Sequence, residues 1–240
     1  YLAERDLPPG TPLQIPMPMV NMISGGKHAG QNIDLQDFLA VPVGAASYPE
    51  ALEMLSALYW KLKEVLQEKG YVASLLADEG GFGPALASNR EALDLLCEAM
   101  IRLGWEPGRE MAIAVDVAAS HFYDSTAKLY RLRSEGRSLS SLQMVEMLEE
   151  WTKSYPIISI EDGLAEEDWE GWQVLTRRLG PRVQLVGDDL YTTHPERIQK
   201  GIDLKAGNAV LVKMNQIGTL TETVRSVQLA QQAGMNTVIS

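Results

Sequence analysis

Cysteine and long apolar runs are both scarce in this sequence of 240 residues. Its single cysteine, Cys97, cannot form a disulfide within the chain, and this composition is compatible with a reducing compartment. No apolar run reaches the roughly 20 residues that a membrane-spanning helix requires, and no signal peptide is visible. We therefore expect a chain without a membrane span and without an internal disulfide framework.

Positive charge is also in short supply, with 21 Lys and Arg residues against 32 Asp and Glu residues and a net charge of −11. A nucleic-acid-binding protein usually carries a basic patch, so this balance argues against a nucleic-acid partner. An anionic substrate is not excluded, because a bound metal ion reverses the local field. The sequence also lacks GxGxxG, Walker, GxSxG and CxxC motifs, so nucleotide-binding and serine-nucleophile functions have no support.

The order of the apolar runs indicates an α/β fold. Residues 17–23 and 35–41 are predicted strands with no helix between them, which favours antiparallel neighbours. Two helices follow, each introduced by a capping-box pattern, and strands and helices then alternate, which is typical of a parallel sheet. The capping-box residues are Ser47 with Glu50 and Ser88 with Glu91. The later predicted strands are 111–118, 157–160, 183–186, 209–212 and 237–240, and the later predicted helices are 140–153, 169–178, 195–200 and 220–232.

Four of these apolar runs end abruptly in an ionisable residue: Asp116, Glu161, Asp188 and Lys213. In a (β/α) barrel the carboxyl ends of the strands form the rim on which catalytic sites are built. Three carboxylates at one rim predict a divalent metal with oxygen ligands, and a lysine beside it, with a lowered pKa, would act as a base. The ordinary alternative is that each acid caps a loop or pairs with an arginine, and that the lysine pairs with a carboxylate.

Two glycine-rich loops carry further candidates. Glu79 lies in the loop DEGGFGP, where glycines allow the backbone to approach a ligand, although a solvated turn acid is the plain alternative. His28 lies between glycines and could reach a bound anion, and its alternative is a surface histidine. His121 and His194 are weaker candidates. His121 falls after a strand end, and His194 directly precedes a predicted helix, where capping is the ordinary explanation.

Several strings in the sequence closely resemble the enolase (phosphopyruvate hydratase) family. The resemblance runs from about Pro16 to Ser240. The strings that carry it are SIEDGLAEEDWEGW, QLVGDDL, VLVKMNQIGTLTET, ADEGGFGP and AVDVAAS. It implies an α/β barrel of the (β/α)₈ type, with the ββαα(βα)₆ order of that family. It also implies Mg²⁺ as the cofactor, a small phosphorylated carboxylate as the substrate, and a cytoplasmic homodimer.

The same resemblance implies reversible dehydration of 2-phosphoglycerate to phosphoenolpyruvate and assigns roles to individual residues. Asp116, Glu161 and Asp188 would hold Mg²⁺. Lys213 would remove the proton at C2, and Glu79 would be the general acid that helps the C3 hydroxyl to leave. Enzymes of this superfamily use a Lys or His base with Mg²⁺. The substrate-binding positions would be His28, Gln36, Asp37, Glu161 and Asp188.

The chain departs from the family pattern at several positions. Asp37 stands where the family has a glutamate, and a side chain shorter by one methylene would retract its carboxylate by roughly 1–1.5 Å. A misplacement of about 1 Å can cost on the order of a hundredfold in rate. Lys27 adds a cation before His28, and it either assists anion binding or points to solvent. His121 and His194 replace a usual glutamate and a usual asparagine.

We expect residues 1–15 to be a linker or arm and residues 16–240 to be an incomplete barrel domain. The family's N-terminal α+β domain and the segment that completes the last strand and helix are not among these 240 residues. We therefore expect a piece of a longer protein and little activity from these residues alone. Two alternatives stay open: a paralogue with impaired or altered activity, motivated by Asp37 and Lys27, and a non-catalytic binding protein that retains the fold.

Overall fold

Short aliphatic runs of the sequence form strands in the computed structural model, which describes residues 10–12, 14–30, 32–74 and 76–240. The strands of this part are β1 Val20–Ser24, β2 Asp37–Val41, β3 Ala112–Asp116, β4 Tyr123–Asp124, β5 Leu129–Leu132, β6 Arg137–Leu139, β7 Ile157–Glu161, β8 Gln184–Gly187, β9 Ala209–Val212 and β10 Asn236–Ile239. Among them, seven strands form one sheet in the order β1-β2-β3-β7-β8-β9-β10. The pairs β1–β2 and β2–β3 are antiparallel, and all later pairs of this sheet are parallel.

The α-helices of the described chain are α1 Tyr48–Glu68, α2 Asn89–Arg102, α3 Ser141–Ser154, α4 Trp169–Leu179, α5 Pro195–Leu204, α6 Met214–Ile217 and α7 Leu220–Gln232. Helices α1 and α2 follow one another between β2 and β3, whereas the later helices alternate with the parallel strands. None of the helices in this part of the chain is both long enough and apolar enough to cross a membrane. The order of elements is that of a ββαα(βα)ₙ fold.

Side-chain caps begin the helices where the sequence predicts them, with one difference. The hydroxyls of Ser47 and Ser88 accept the backbone N–H of the residue three positions later, as predicted. The glutamates of these boxes accept instead from the backbone N–H of Ala46 and Ala87, one residue before the cap. In a capping box the glutamate accepts the backbone N–H of the cap residue itself. This part of the prediction is wrong for both helices, because the donor is the residue before the cap. A complete capping box occurs at Ser140, which begins α3.

The predicted fold class is confirmed as an incomplete barrel of the ββαα(βα)₆ kind. The seven-stranded sheet of the described chain leaves β1 and β10 as its two edges. Strand β1 begins at Val20, later than predicted, and the segment before it contains Pro16 and Pro18, which lack the N–H group that a ladder requires. The last strand spans Asn236–Ile239 rather than 237–240. Residues 1–9 and 13 of the predicted arm, which covers residues 1–15, lie outside the described residues.

A second, three-stranded sheet of the described chain was not predicted. Strands β4, β5 and β6 form it as an antiparallel meander after β3. Its strands have 2, 4 and 3 residues, too few to show a clear alternation of apolar and polar residues. The fully buried Tyr130 anchors it, because its hydroxyl donates to Asp168 at 2.7 Å and accepts the Ala165 N–H at 3.0 Å.

The two faces of the main sheet bury different sets of apolar residues. Alternate residues such as Ile113 and Val115 join the large core shared with the helices. Residues Ala112 and Ala114 point to the other face and cluster with Val41, while a separate small cluster lies on β8 and β9. This alternation follows from the two-residue period of a strand. The sheet therefore has a helix-covered face and an inner face.

Candidate active site at the carboxyl ends of the strands

The strand register brings the predicted strand-end residues to one rim. Asp116 is paired with Glu161 across β3 and β7, and Glu161 is paired with Val186 of β8. The parallel strands therefore end side by side, with Asp188 just after β8 and Lys213 just after β9. Because β2 runs in the opposite direction, its first residue, Asp37, is paired with Asp116 at the same rim.

Asp116 is buried at this rim and is held by two donors. The backbone N–H of Ala118 donates to its Oδ1 at 3.0 Å, and Gln36 Nε2 donates to its Oδ2 at 3.0 Å. Within the described chain, Gln36 Oε1 is buried and has no hydrogen-bond partner. Buried acceptors normally have a partner, so this oxygen is available to a ligand group.

Asp37 is buried beside Asp116 and is bound by side chains of β1. Both Asn21 Nδ2 and Ser24 Oγ donate to its Oδ1, the latter at 2.7 Å. Two donors to one carboxylate oxygen fix its orientation. Sequence reasoning identified Asp37 and Gln36 but not the donors on β1.

Asp162 joins the ends of β7 and β8, a role that the sequence reasoning missed. Its Oδ1 accepts the N–H of Asp188 at 3.1 Å, and its Oδ2 accepts the N–H of Asp189 at 2.7 Å. Its own backbone has φ of 41°, in the left-handed region that few residues other than glycine adopt. Burial, together with the charges of Asp189 and Asp188, raises the pKa of Asp162 to about 8, although the backbone donors act to lower it.

The side chain of Lys213 forms an ion pair with Asp188. Its Nζ donates to Asp188 Oδ2 at 2.6 Å, and Gln216 Nε2 donates to Asp188 Oδ1 at 3.0 Å. The lowered pKa predicted for Lys213 was wrong for this arrangement. Burial acts to lower the pKa, but the hydrogen bond and charge of Asp188, with smaller contributions from other carboxylates, raise it above its ordinary value.

The carboxylates at the rim repel one another. Burial raises the pKa of Asp116 well above its ordinary value, and the charge of Glu161 adds to this effect. Burial likewise raises the pKa of the half-buried Glu161, with further increases from Asp162 and Asp188. Each group is easier to protonate because it is buried and because its neighbours are also acidic. A bound cation would relieve this repulsion.

The rim offers oxygen donors for a divalent cation. Single oxygens of Asp162, Asp188 and Asp189 all lie within 4.8 Å of one another. Both oxygens of Asp162 already accept backbone N–H groups, so we regard it mainly as the residue that positions the other two. Hard divalent cations prefer carboxylate oxygens, so this group is compatible with such an ion, and the ligand set of Asp116, Glu161 and Asp188 stays a prediction.

The remaining predicted candidates, Glu79, His28 and His194, lie outside the strand ends. Glu79 is exposed, and no described residue forms a hydrogen bond with its side chain. The side chain of His28 lies outside the described residues, although its backbone belongs to the short 3₁₀ helix Gly26–Ala29. His194 accepts the Glu196 N–H through Nδ1, which confirms the capping explanation. The roles assigned to Glu79 and His28 stay predictions.

The missed role of Asp162 had a visible signal in the sequence. Two strands end in consecutive acids, Glu161 with Asp162 and Asp188 with Asp189. We assigned only one acid of each pair to a ligand role. Asp162, the second acid of the first pair, accepts the backbone N–H groups of Asp188 and Asp189 at the end of β8. No spacing rule predicts this contact.

Strand order, strand direction and the acidic rim define a protein of the α/β-barrel class with a site compatible with a divalent metal. The family described as enolase, C-terminal TIM barrel domain, matches residues 12–240. The chain therefore belongs to the enolase superfamily, whose members are generally enzymes. This match confirms the resemblance at the level of the superfamily, and it does not separate phosphopyruvate hydratase from other members.

Proposed function

We propose that this protein catalyses the Mg²⁺-dependent, reversible dehydration of 2-phosphoglycerate to phosphoenolpyruvate. One observation carries the proposal: Lys213 Nζ lies 2.6 Å from Asp188 at a rim that also presents Asp116 and Glu161. A lysine beside carboxylates that can hold Mg²⁺ is the arrangement with which the enolase superfamily removes a proton from the carbon next to a carboxylate group. Membership of the enolase superfamily supports the same reaction class.

The proposed roles follow from the chemistry of each side chain. Asp116, Glu161 and Asp188 would hold Mg²⁺, and when bound this ion would supply the positive charge that offsets the carboxylates and the charge developing on the substrate. Lys213 would accept the C2 proton at Nζ. Glu79, on its exposed loop, would donate a proton to the departing C3 hydroxyl.

The substrate pocket would be completed by residues of the β1–β2 loop and β2. Gln36 Oε1 would accept a hydrogen bond from the substrate, since no described residue donates to it. Asp37 would line the substrate pocket next to Gln36, and His28 would face the substrate's anionic end. We further propose a cytoplasmic homodimer with no nucleic-acid partner, and light scattering of the purified full-length protein would test the assembly.

A second candidate is proton abstraction from a different carboxylate substrate. It is favoured by the burial of Asp37, at 3% exposure, and by its hydrogen bonds to Asn21 and Ser24. A carboxylate bound in this way is directed towards β1, so it would contribute differently from the longer glutamate that the family usually has. Substrate scope would then differ while the base and the metal site stay the same.

The test is turnover of 2-phosphoglycerate by the full-length protein with Mg²⁺, followed by the absorbance of phosphoenolpyruvate. We expect Lys213→Ala to lower kcat by about 10²–10⁴-fold, the contribution typical of a general base. The matched control is Lys153→Ala, which removes another lysine–carboxylate pair, to Glu149, on the outer helix α3. It should leave kcat unchanged.

Two results would contradict the proposal. Retention of turnover by Lys213→Ala would exclude this lysine as the base. Absence of wild-type turnover with 2-phosphoglycerate, while the protein binds Mg²⁺ and exchanges the α-proton of another carboxylate, would favour the second candidate.

A further inference from the structure

A short turn, residues 77–81, carries Glu79 and is closed by its own backbone. The Ala77 N–H donates to the Gly81 carbonyl at 2.8 Å, and the Gly80 N–H donates to the Ala77 carbonyl at 2.9 Å. Glu79 lies within this closed turn, and its side chain is exposed. The place at which Glu79 is presented therefore depends on what holds the turn as a unit.

The residue that follows the turn, Phe82, joins it to β1. The Phe82 N–H donates to the Met22 carbonyl at 2.9 Å, and the Phe82 carbonyl accepts the Ser24 N–H at 2.8 Å. Strand β1 ends at the acidic rim, because Ser24 is paired with Asp37, which is paired with Asp116. The turn is therefore attached to a strand that reaches the rim.

Gly81 allows the turn to lie directly against two side chains of β1. A Cβ atom at this position would lie 2.8 Å from Asn21 Oδ1 and 2.8 Å from Ser24 Oγ, closer than Cβ atoms approach such groups. Both side chains donate hydrogen bonds to the buried Asp37, so they cannot easily move aside. The turn consequently packs against the residues that orient Asp37.

A side chain of α1, Tyr59, holds the turn from the helix side. Its hydroxyl donates to the Gly80 carbonyl at 2.8 Å, one residue after Glu79. Its ring stacks on Phe82, with ring centroids 4.4 Å apart and an interplanar angle of 24°. Burial raises the pKa of Tyr59, so the hydroxyl keeps its proton and stays a donor. One side chain thus contacts both the turn and the residue that joins it to β1.

We propose that Tyr59 is a positioning residue that fixes the turn of residues 77–81 so that Glu79 can protonate the departing C3 hydroxyl. This role rests on the proposed function, in which Lys213 Nζ accepts the C2 proton. The electron pair left at C2 forms the C2–C3 double bond, and the C3–O bond breaks with its pair on oxygen. The proton of Glu79 then completes a water molecule.

The position of the Glu79 side chain follows the backbone of the turn. Among the described residues, none forms a hydrogen bond with that side chain. The Tyr59 hydroxyl binds the backbone of the turn rather than the Glu79 carboxyl group, so it acts through the turn. A misplacement of about 1 Å can cost on the order of a hundredfold in rate, so a hydrogen bond to Gly80 is enough to affect catalysis.

The first test is amide hydrogen exchange of the full-length protein, as wild type and as Tyr59→Phe, without substrate. The variant keeps the ring that stacks on Phe82 and removes only the hydroxyl. We expect roughly threefold to tenfold faster exchange at Ala77 and Gly80, the factor that corresponds to one lost hydrogen bond. The Phe82 amide, which is bonded to β1, should exchange at an unchanged rate.

The matched control is Tyr155→Phe. The Tyr155 hydroxyl donates to Asp94 at 2.5 Å and accepts from Arg90 Nε at 2.8 Å. Tyr155 precedes β7, so it lies at the end of that strand opposite to the rim. Loss of this hydroxyl should change neither the exchange of the turn nor kcat.

The second test is a double-variant cycle of Tyr59→Phe and Glu79→Gln, measured as kcat for 2-phosphoglycerate at saturating Mg²⁺. Alone, Tyr59→Phe should lower kcat by about tenfold, part of the roughly 10²–10⁴-fold that a general acid supplies, with KM changed by less than about twofold. In the Glu79→Gln background it should have no further effect, because no acid is left to position. A purely structural role would lower kcat by the same factor in both backgrounds.

The possible failures are separable. Unchanged exchange at Ala77 and Gly80 in Tyr59→Phe would overturn the claim that Tyr59 holds the turn. Equal effects of Tyr59→Phe in the two backgrounds would overturn its positioning role. Absence of wild-type turnover would instead contradict the proposed function, and amide exchange would still decide whether Tyr59 fixes the turn.

Discussion

At the scale of single residues, Asp162 shows how one carboxylate can organise a site without being its chemical agent. It uses both oxygens to hold the backbone of Asp188 and Asp189, and it is buried at 3% exposure. The energetic consequence is twofold, because two backbone N–H groups gain a partner while a charge is buried among other charges. Residues that orient metal ligands typically affect metal affinity by 10–100-fold.

We predict that Asp162→Asn weakens Mg²⁺ binding by about tenfold, because an amide can accept only one of the two backbone N–H bonds. Calorimetric titration of Mg²⁺ into the full-length protein measures this. The control is Glu166→Gln, which removes a nearby charge but no acceptor of these two N–H groups. If both variants lose affinity equally, the effect is one of charge, and the positioning role of Asp162 is wrong.

At the scale of elements, packing rather than helix propensity explains the glycine inside α5. Tyr191 is fully buried, and its hydroxyl donates to the carbonyl of Ala206. A Cβ atom at Gly201 would lie 2.6 Å from the Tyr191 hydroxyl oxygen and 2.8 Å from Cζ of the ring. The ring cannot move away easily, because it is enclosed by the core and held by its hydrogen bond. Gly201 is therefore required by the contact between α5 and the loop after β8.

We predict that Gly201→Ala lowers the free energy of unfolding by about 1–3 kcal/mol through overpacking. Helix propensity alone would favour alanine by roughly 1 kcal/mol, so the sign of the effect is diagnostic. Urea denaturation measures it, and Gln199→Ala on the exposed face of α5 is the control. A double variant with Tyr191→Leu should lose less stability than the sum of the single changes, whereas strict additivity would refute the contact.

At the scale of the whole molecule, the acidic rim makes stability depend on pH and on cations. Asp116, Glu161 and Asp189 have raised pKa values, and the pKa of Asp162 is raised to about 8, with burial as the largest cause in each case. A carboxyl group with a raised pKa in the folded state binds protons more tightly there than in the unfolded chain. Its contribution to stability is present below the ordinary pKa and is lost as the pH rises through the raised value.

We predict that the melting temperature of the metal-free protein falls between pH 5 and pH 8. The expected fall is a few degrees per pH unit, since one pKa unit corresponds to about 1.4 kcal/mol. The carboxyl groups with lowered pKa values, such as Glu98 and Glu149, are already ionised across this window and do not oppose the fall. Differential scanning calorimetry in the presence of a chelator measures the effect.

Saturating Mg²⁺ should flatten this pH dependence, because a ligand bound only by the folded state stabilises it and neutralises the rim. A sodium chloride sample of equal ionic strength separates specific binding from screening. A melting temperature that is constant or rises from pH 5 to pH 8 without metal would contradict the raised pKa values.

Much of this protein was determined by local sequence. The aliphatic runs predicted each main strand to within a few residues, the serine caps marked the starts of the first helices, and the acids at strand ends pointed to one rim. These features depend on a few neighbouring residues, since strand and helix periods and capping bonds span at most four positions. Parallel strand order then brings the ends of separate runs together.

Only the tertiary structure decided the contacts between distant segments. The bond from Asp189 to Asp162 spans 27 residues, the ion pair that raises the pKa of Lys213 spans 25, and the tie from Ser134 to Asp34 spans 100. The small sheet likewise depends on how separate loops meet. No local pattern encodes such pairings, because which donor reaches which acceptor is set by chain packing after the strands have been placed.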